Sequence, residues 1–406
     1  MQYRQMPKGT DKLSALGFGC MRLPTRFGGP SSTAIDKEKA AKLIRGAIDQ
    51  GINYLDTAWP YHMGASESFL GSSVLPDGYR EKVFVATKLP CFMIRKAEAM
   101  QSTFDKQLAK LNVDYIDYYL AHSLDGATWA AMKELGIIPF MDKIKAEGKV
   151  RHMGFSFHGK KEDFVAIVDA YPWDFVQVQF NIIDEHFQAG IEGIEYAAKK
   201  GMGVIVMEPM RGGTLVGKIP AEVRRIYDAA DIRRSAADWA FRWIYNNPNV
   251  TVVLSGMNTK EQVDENIRVA SEAMPNGMSD KELSVINAVK DTYHRLLTVG
   301  CTGCAYCMPC PAGIDIPAAF KSLNDYHMFG KAGARFNHLR FAGVSTADGR
   351  AHWTSSCINC GKCEKKCPQG ILVRETFKKV QKDLETPAIK AVAGIGRALM
   401  GKKKDK

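Results

Sequence analysis

Two short runs of cysteine stand out among the residues able to do chemistry. The first is Cys301-x2-Cys304-x2-Cys307-x2-Cys310-Pro311 and the second is Cys357-x2-Cys360-x2-Cys363-x3-Cys367-Pro368; of the 10 cysteines, only Cys20 and Cys91 stand apart. Three thiolates at successive three-residue steps, twice over, suit one corner of an iron–sulfur cubane. Zinc is the competing ligand. Its sites pair two C-x2-C units across a loop and close a tetrahedron on four ligands, which these runs match less well. A second set is dispersed earlier in the chain: Asp56, Tyr61, Lys88 and His122. A carboxylate, a phenol, an ammonium and an imidazole are groups able to give, take or hold a proton. Singly, each has an ordinary reading as a helix cap, a packed ring, a surface charge or a satisfied polar residue. Their joint placement carries the weight.

That placement depends on the elements between them. Strand candidates are Leu16–Met21, Asn53–Thr57, Val83–Leu89, Tyr115–His122, Val150–Phe157, Phe175–Asn181, Gly203–Glu208 and Val250–Gly256. Most are continuously apolar, as strands buried on both faces should be. Helical patterns alternate with them at Asp36–Gln50, Arg95–Leu111, Trp129–Glu147, Glu162–Tyr171, Ile191–Lys200, Ser235–Asn246 and Lys260–Ala273. Eight such units predict an α/β fold, a (β/α)8 TIM barrel, whose reactive groups sit at the carboxyl ends of the strands. Asp56 and Tyr61 follow the second strand, Lys88 lies on the third and His122 on the fourth. An open doubly wound sheet would show G-x-G-x-x-G after an early strand; Gly17, Gly19, Gly28 and Gly29 have the wrong spacing.

The expected organisation is a barrel over 1–278, a linker helix over 279–297, a small α-helical, ferredoxin-like iron–sulfur domain over 298–385, and a C-terminal helix with a basic tail over 386–406. Ser279, with Glu282 three residues on, predicts the start of the linker helix. Ile316–Tyr326 and Thr386–Met400 also read as helical. The interval between the cysteine runs exceeds what two clusters need, so an inserted helical pair is expected there.

Composition sets the context. Hydrophobic residues at 46% and charged residues at 24% of 406 are typical of a globular protein. The formal charge of +11 is scattered, densest at Lys402, Lys403, Lys404 and Lys406, which reads as a solvated tail rather than a nucleic-acid surface. No stretch marks export or a membrane span. Clustered cysteines without an export signal point to a metal held in a reducing cytoplasm.

The residues at the strand ends sit in stretches that resemble the aldo/keto reductase family: Gly17-Phe18-Gly19-Cys20-Met21-Arg22-Leu23, Asn53-Tyr54-Leu55-Asp56-Thr57-Ala58 with Tyr61, Ala86-Thr87-Lys88, and Ala121-His122-Ser123. The whole chain looks like the prokaryotic branch whose barrel is followed by ferredoxin-type cysteines. The resemblance implies hydride transfer from NADH or NADPH to an aldehyde or ketone, or the reverse from the alcohol, with Tyr61 as proton donor. Lys88 would lower the phenol's pKa from ~10, Asp56 would hold Lys88 charged, and His122 would polarise the carbonyl. Ser156, Gln179 and Asn181 match positions around the nicotinamide amide. Gly212, Gly213 and Leu215 match a pyrophosphate loop, and Ser255, Gly256, Gln262 and Asn266 the adenosine end. Met207 stands where the family often stacks an aromatic ring. Gly256 and Gln262 stand where eukaryotic NADPH-specific members carry Lys and Arg, with Lys260 as a substitute, so NADP and NAD both stay open. Trp59, His62, Phe92 and Trp129 are candidate pocket walls.

By analogy with bacterial ferredoxins, Cys301, Cys304, Cys307 and Cys367 would hold one [4Fe–4S] cluster and Cys357, Cys360, Cys363 and Cys310 the other. A cluster module that carries electrons would also need an electron-transfer partner protein. Two alternatives remain: clusters that only fold the C-terminal region, and a nicotinamide-binding barrel serving as a regulatory or electron-transfer subunit of a larger redox complex.

Overall fold

The computed structural model describes residues 1–27, 32–301, 307–344, 350–367 and 369–401. Gly28, Gly29, Cys304, Pro368 and the tail lysines 402, 403, 404 and 406 lie outside them. A short hairpin, β1 (Tyr3–Gln5) and β2 (Lys12–Ser14), precedes eight parallel strands: β3 (Leu16–Gly19), β4 (Tyr54–Asp56), β5 (Phe84–Leu89), β6 (Ile116–Leu124), β7 (Val150–Phe157), β8 (Phe175–Gln179), β9 (Gly203–Met207) and β10 (Val252–Ser255). These close into a barrel in chain order, with β10 returning to β3. Closure satisfies both edges of every strand, so short strands suffice. The register sets Asp56 opposite Ala86 and Lys88 opposite Leu120, so the reactive positions of neighbouring strands share one end.

The barrel interior is packed with Tyr54, Tyr118, Leu120, Phe175, Ile205 and Val252. Met6 and Leu13 of the hairpin segment join that cluster, fully buried. The hairpin is absent from the sequence reading because its strands are three residues long and mostly polar. Outer helices follow the expected periodicity: Lys37–Asp49 buries Ala40, Ile44, Ala47 and Ile48, and Asp36 caps it through the Lys39 amide. One expected helix, Trp129–Glu147, is two: Gly126–Glu134 and Ile137–Ala146, divided at Gly136, whose φ of 82° ends the first.

Two compact units emerge, Met1–Gly212 with Arg234–Ile286, and Gly213–Arg233 with Asn287–Lys406. The division falls inside the helix Asp280–Arg295, whose first turn carries the Ser279–Glu282 capping box. The second unit contains helices that the sequence reading did not place, among them Ala221–Ala229 and Val373–Leu384. Two helices, Ile316–Phe329 and Lys331–His338, occupy the interval between the cysteine runs. They bury Phe320, Leu323, Tyr326 and Ala334 with Phe377, Val380 and Leu384. Buried Glu385 ties the region together, accepting from His338 Nε2 (3.1 Å), the Thr354 amide (2.7 Å) and the Thr354 hydroxyl (2.8 Å). Among the described residues, no helix is long and apolar enough to cross a membrane.

Candidate active site and cluster site

Asp56 is the last residue of β4, Tyr61 lies in the turn Tyr61–Gly64 just after it, Lys88 is the penultimate residue of β5, and His122 stands near the end of β6. The structure brings all four together. Lys88 Nζ donates to Asp56 Oδ1 at 2.7 Å and to the Thr57 carbonyl at 2.7 Å, and lies 3.4 Å from the Tyr61 hydroxyl. The His122 ring meets Tyr61 edge-on, 6.3 Å between centroids. A register shift between Ala121 and Leu124 in the β6–β7 pairing re-aims the strand at this point. His122 Nδ1 is buried with no hydrogen-bond partner.

Electrostatics follow from burial. Lys88 and Asp56 are 1% and 3% exposed at the side chain. Burial opposes the Lys88 charge, but Asp56 and Tyr61 outweigh it and hold the ammonium's pKa above its ordinary value. The Asp56 carboxyl is raised by burial against the pull of Lys88. His122 is held well below its ordinary value, first by burial and then by Lys88 and His158, so it is a neutral imidazole. The expectation that Lys88 lowers the Tyr61 pKa needs correcting. Lys88 does pull downward, yet burial of the phenol is larger and the net direction is up.

The turn carrying Tyr61 is strained and held from outside. His62 and Met63 have φ of 51° and 53°, in the left-handed region. Lys110 Nζ donates to the Gly64 carbonyl at 3.4 Å, sits 3.7 Å from the centroid of the Trp59 ring, and pairs with Glu67 at 3.4 Å. Glu67, fully buried, also accepts from Thr87 Oγ1 (2.7 Å) and Gln107 Nε2 (2.6 Å), and Gln107 donates to the Lys88 carbonyl. One polar network thus supports the backbone of Lys88 and the Tyr61 turn. Sequence reading missed Glu67, Gln107 and Lys110, which lie on helices with no motif to mark them.

Of the expected pocket walls, Phe92 is exposed and meets the His122 ring at 5.6 Å. His62 is different. Its Nε2 accepts from the Leu23 amide and its Nδ1 faces the Ser32 carbonyl at 2.7 Å, so both nitrogens are used in the loop. Trp129 is buried against Trp173.

The cofactor candidates divide. Ser156 Oγ accepts from the Ser123 amide at 2.8 Å, leaving its proton to give. Gln179 Nε2 is tied to buried Asp184 at 2.9 Å, leaving its carbonyl oxygen to accept. A donor and an acceptor at adjacent strand ends fit a carboxamide such as that of nicotinamide. Asn181 does not join them. Its oxygen accepts from the Ile183 and Asp184 amides and its amide donates to Asp184 and the Glu208 carbonyl, so it builds the loop. Asn266 Nδ2 donates to Ser255 Oγ at 3.1 Å at the β10 end. Gln262 accepts from the Asn258 amide, and Lys260 is paired with Asp264. Met207 closes β9. Gly212 and Gly256 both lie against Arg22, a residue not singled out from sequence. Gly213 and Leu215 belong to the second unit.

In the second unit, one cavity is lined by Cys307 and Cys310 of the first run and Cys357, Cys360 and Cys363 of the second, with Pro309, Pro311, Ile316 and Phe377. Asn324 receives the Val299 amide and donates to the Val299 carbonyl, both at 2.9 Å, fixing the approach to the first run. Cys301 packs against the unit's core and Cys367 lies outside the cavity lining. No disulfide joins the described cysteines. Among the described residues no three acidic, histidine or cysteine side chains converge closely enough for a single metal ion. Zinc needs thiolates at ~2.3 Å from one centre, whereas a cubane spreads its ligands over four separate irons. The cavity gathers thiols of both runs beside Pro309, Pro311, Ile316 and Phe377, with Lys362 and Lys366 also in its lining, and these are donors that a cubane can take, one to each iron.

Comparison with known proteins agrees. The aldo/keto reductase family model matches residues 15–289, and a 4Fe-4S dicluster domain model matches 300–372. The L-galactose dehydrogenase of Arabidopsis thaliana is 28% identical over 311 residues, covering 70% of this chain and 93% of that protein. The NADH-specific methylglyoxal reductase of Escherichia coli (strain K12) is 25% identical over 345 residues, covering 72% and 100%. The aldo-keto reductase AKR11C1 from Bacillus halodurans, in its holo form, superposes with a TM-score of 0.59 at 25% identity, covering 71% of this chain and 96% of its own. The chain therefore belongs to the aldo/keto reductase family of oxidoreductases, extended by a 4Fe-4S domain in residues 300–372.

Proposed function

We propose that the barrel reduces the carbonyl of a small aldehyde or ketone with NADH or NADPH, and that the cysteine region is a two-cluster electron-transfer module. The observation that carries the first half is Lys88 Nζ, set between Asp56 Oδ1 at 2.7 Å and the Tyr61 hydroxyl at 3.4 Å. Reduced nicotinamide would supply the hydride, and Ser156 and Gln179 would hold its carboxamide. Tyr61 keeps its proton at neutral pH, as any phenol with a pKa of ~10 or above does, and the phenol is poised to protonate the alkoxide as negative charge grows on the substrate oxygen. Lys88 stabilises the phenolate left behind, while Asp56 keeps Lys88 charged and oriented. Neutral His122 orients the carbonyl through a ring N–H. Net, the carbonyl carbon gains a hydride and the oxygen gains the Tyr61 proton, which solvent restores.

For the clusters, the cavity supports the assignment of Cys310 with Cys357, Cys360 and Cys363, because it gathers those four thiols with Cys307. Cys301, Cys304, Cys307 and Cys367 would hold the other, Cys304 lying outside the described residues. Clusters exchange single electrons.

Tyr61→Phe tests the chemistry. Carbonyl reduction should fall by ~10²- to 10⁴-fold with nicotinamide affinity unchanged; wild-type turnover would overturn the assignment. Anaerobic mixing with NADH or NADPH, followed by cluster absorbance and EPR, tests the electron-transfer half. Cluster reduction is expected, and its absence would assign the clusters a folding role.

A further inference from the structure

The short helix Lys362–Lys365, with Lys366 at its cap, runs through the second cysteine run. Lys362, Lys365 and Lys366 stand at i, i+3 and i+4, positions that share one face of a helix. All three are exposed, and none has a hydrogen-bond or ion-pair partner among the described residues. The carboxylate on the same turn is taken: Arg374 holds Glu364 through Nη2 at 2.6 Å and Nε at 3.0 Å. Like charges at this spacing repel each other. Three of them without a counter-charge make a cationic face that the surrounding residues leave open.

That face adjoins the thiols. Lys362 and Lys366 line the same cavity as Cys357, Cys360 and Cys363, while Lys365 stands outside the lining. Cys360 is the exposed cysteine among the described ones, so a cluster that it ligates has an edge at the surface. Ile358 lines the cavity as well and is 64% exposed. An apolar side chain set inside a charged rim is the make-up of a protein–protein contact. Recognition of a phosphate backbone draws on lysines alone. The isoleucine and the thiol beside them point instead to a protein that exchanges electrons.

We propose that this face docks an acidic one-electron carrier protein, which deepens the reading of the cysteine region as an electron-transfer module and rests on it. Carboxylates of the carrier meet Lys362, Lys365 and Lys366, and an apolar patch on it covers Ile358. Contact there sets the carrier's centre beside the cluster of the second run. One electron leaves one centre and enters the other, so one is oxidised as the other is reduced, and no bond forms or breaks. Complementary charge acts mainly on the rate of encounter. The exchange is therefore fast at low salt and slow at high salt.

The test uses the anaerobically purified, full-length protein with its clusters reduced by dithionite. Oxidised flavodoxin, an acidic one-electron acceptor, and cytochrome c, a basic one, are each mixed with it in a stopped-flow spectrometer. Calorimetry measures flavodoxin binding. Flavodoxin reduction should slow steeply from ~0.01 M to ~0.15 M salt. The triple variant Lys362→Glu, Lys365→Glu, Lys366→Glu should lose ~10- to 10³-fold of the low-salt rate and weaken flavodoxin binding, while cytochrome c reduction speeds up. Lys365→Glu alone, which leaves the cavity lining intact, should act in the same direction with iron content and cluster EPR unchanged. Unaltered flavodoxin rate and binding in both variants would overturn the proposal. So would a shifted cluster potential with unaltered binding, which would assign the lysines to the cluster itself. Binding of duplex DNA or anionic vesicles through these lysines, with no flavodoxin bound, would overturn it too. If flavodoxin binds through the lysines but neither acceptor is reduced, the docking face stands and the electron-transfer reading falls. If cytochrome c is reduced and flavodoxin does not bind, the reading stands and the docking face falls. If flavodoxin does not bind and neither acceptor is reduced, both fall.

Discussion

At the barrel rim, Lys88 already touches Asp56 and Thr57 at 2.7 Å, because each of those residues is fixed by a strand hydrogen-bonded to the next. The cysteine region differs. Five thiols line one cavity, and the segments carrying them are short helices and loops. The barrel builds its site from backbone pairing and buried charge. The cysteine region gathers thiols from two runs, carried on short helices and loops, around one cavity. Preorganisation by the fold suits proton transfer, which fails when groups move by an ångström. Cluster ligation tolerates a looser frame because the metal–thiolate bonds themselves supply order.

The largest effect expected from breaking the first site is at Lys88. In Lys88→Met, reduction should fall by ~10²- to 10⁴-fold, since the Tyr61 phenolate loses its counter-charge. Asp56 would be left buried and unpaired, costing about 3–5 kcal/mol in denaturant unfolding. An unfolding midpoint equal to wild type would show that the pair is not what holds the rim.

Removing iron sharpens the contrast from the other side. The two-cubane reading expects ~8 irons per chain after anaerobic purification. Chelation should raise hydrogen exchange and proteolysis within 300–372 while leaving strands β3 to β10 protected. Equal loosening of the barrel strands, or zinc in place of iron, would defeat the comparison.

A smaller effect is expected at Glu67. Glu67→Gln keeps the shape but weakens the charge that holds Lys110 and, through it, the Trp59–Gly64 turn. A loss of about 1–3 kcal/mol is expected, together with a drop in kcat that exceeds any change in cofactor affinity. A fall in affinity with kcat untouched would remove the turn from the explanation.

The smallest effects are in pH. His122 has a folded pKa well below its ordinary 6.5. Its contribution is therefore present above 6.5 and is lost as pH falls from there toward the folded value, where the unfolded chain takes up the proton first. Stability measured across this range should decline on acidification, with a shallower decline in His122→Asn. Because burial raises the Tyr61 pKa, the alkaline loss of carbonyl reduction should begin above the ordinary phenol value of ~10. A limb near neutrality would mean that Lys88 prevails over burial.

Much of this architecture is legible without coordinates. Strands such as Gly203–Glu208 announce themselves by the apolar run Val204-Ile205-Val206-Met207, and β9 spans Gly203–Met207 in the structure. The hairpin Tyr3–Ser14 is not legible, because its strands are too short to show a period and are strands only by pairing with each other, with Met6 and Leu13 buried in the barrel cluster. The break at Gly136 was hidden by apolar residues on both sides that continue a helical pattern across it.

The amino-acid sequence by itself determined the residue inventory: cysteines at cubane spacing, and Asp56, Tyr61, Lys88 and His122 in order along successive strands. Spacing within one element is a local property, readable from chain geometry. The tertiary structure alone decided that Asn181 builds a loop, that burial outweighs Lys88 at Tyr61, and that Arg22 reaches Gly212 and Gly256. Each of these depends on which distant segments meet and how much water they exclude, and barrel closure, which sets β10 beside β3, is what makes them meet.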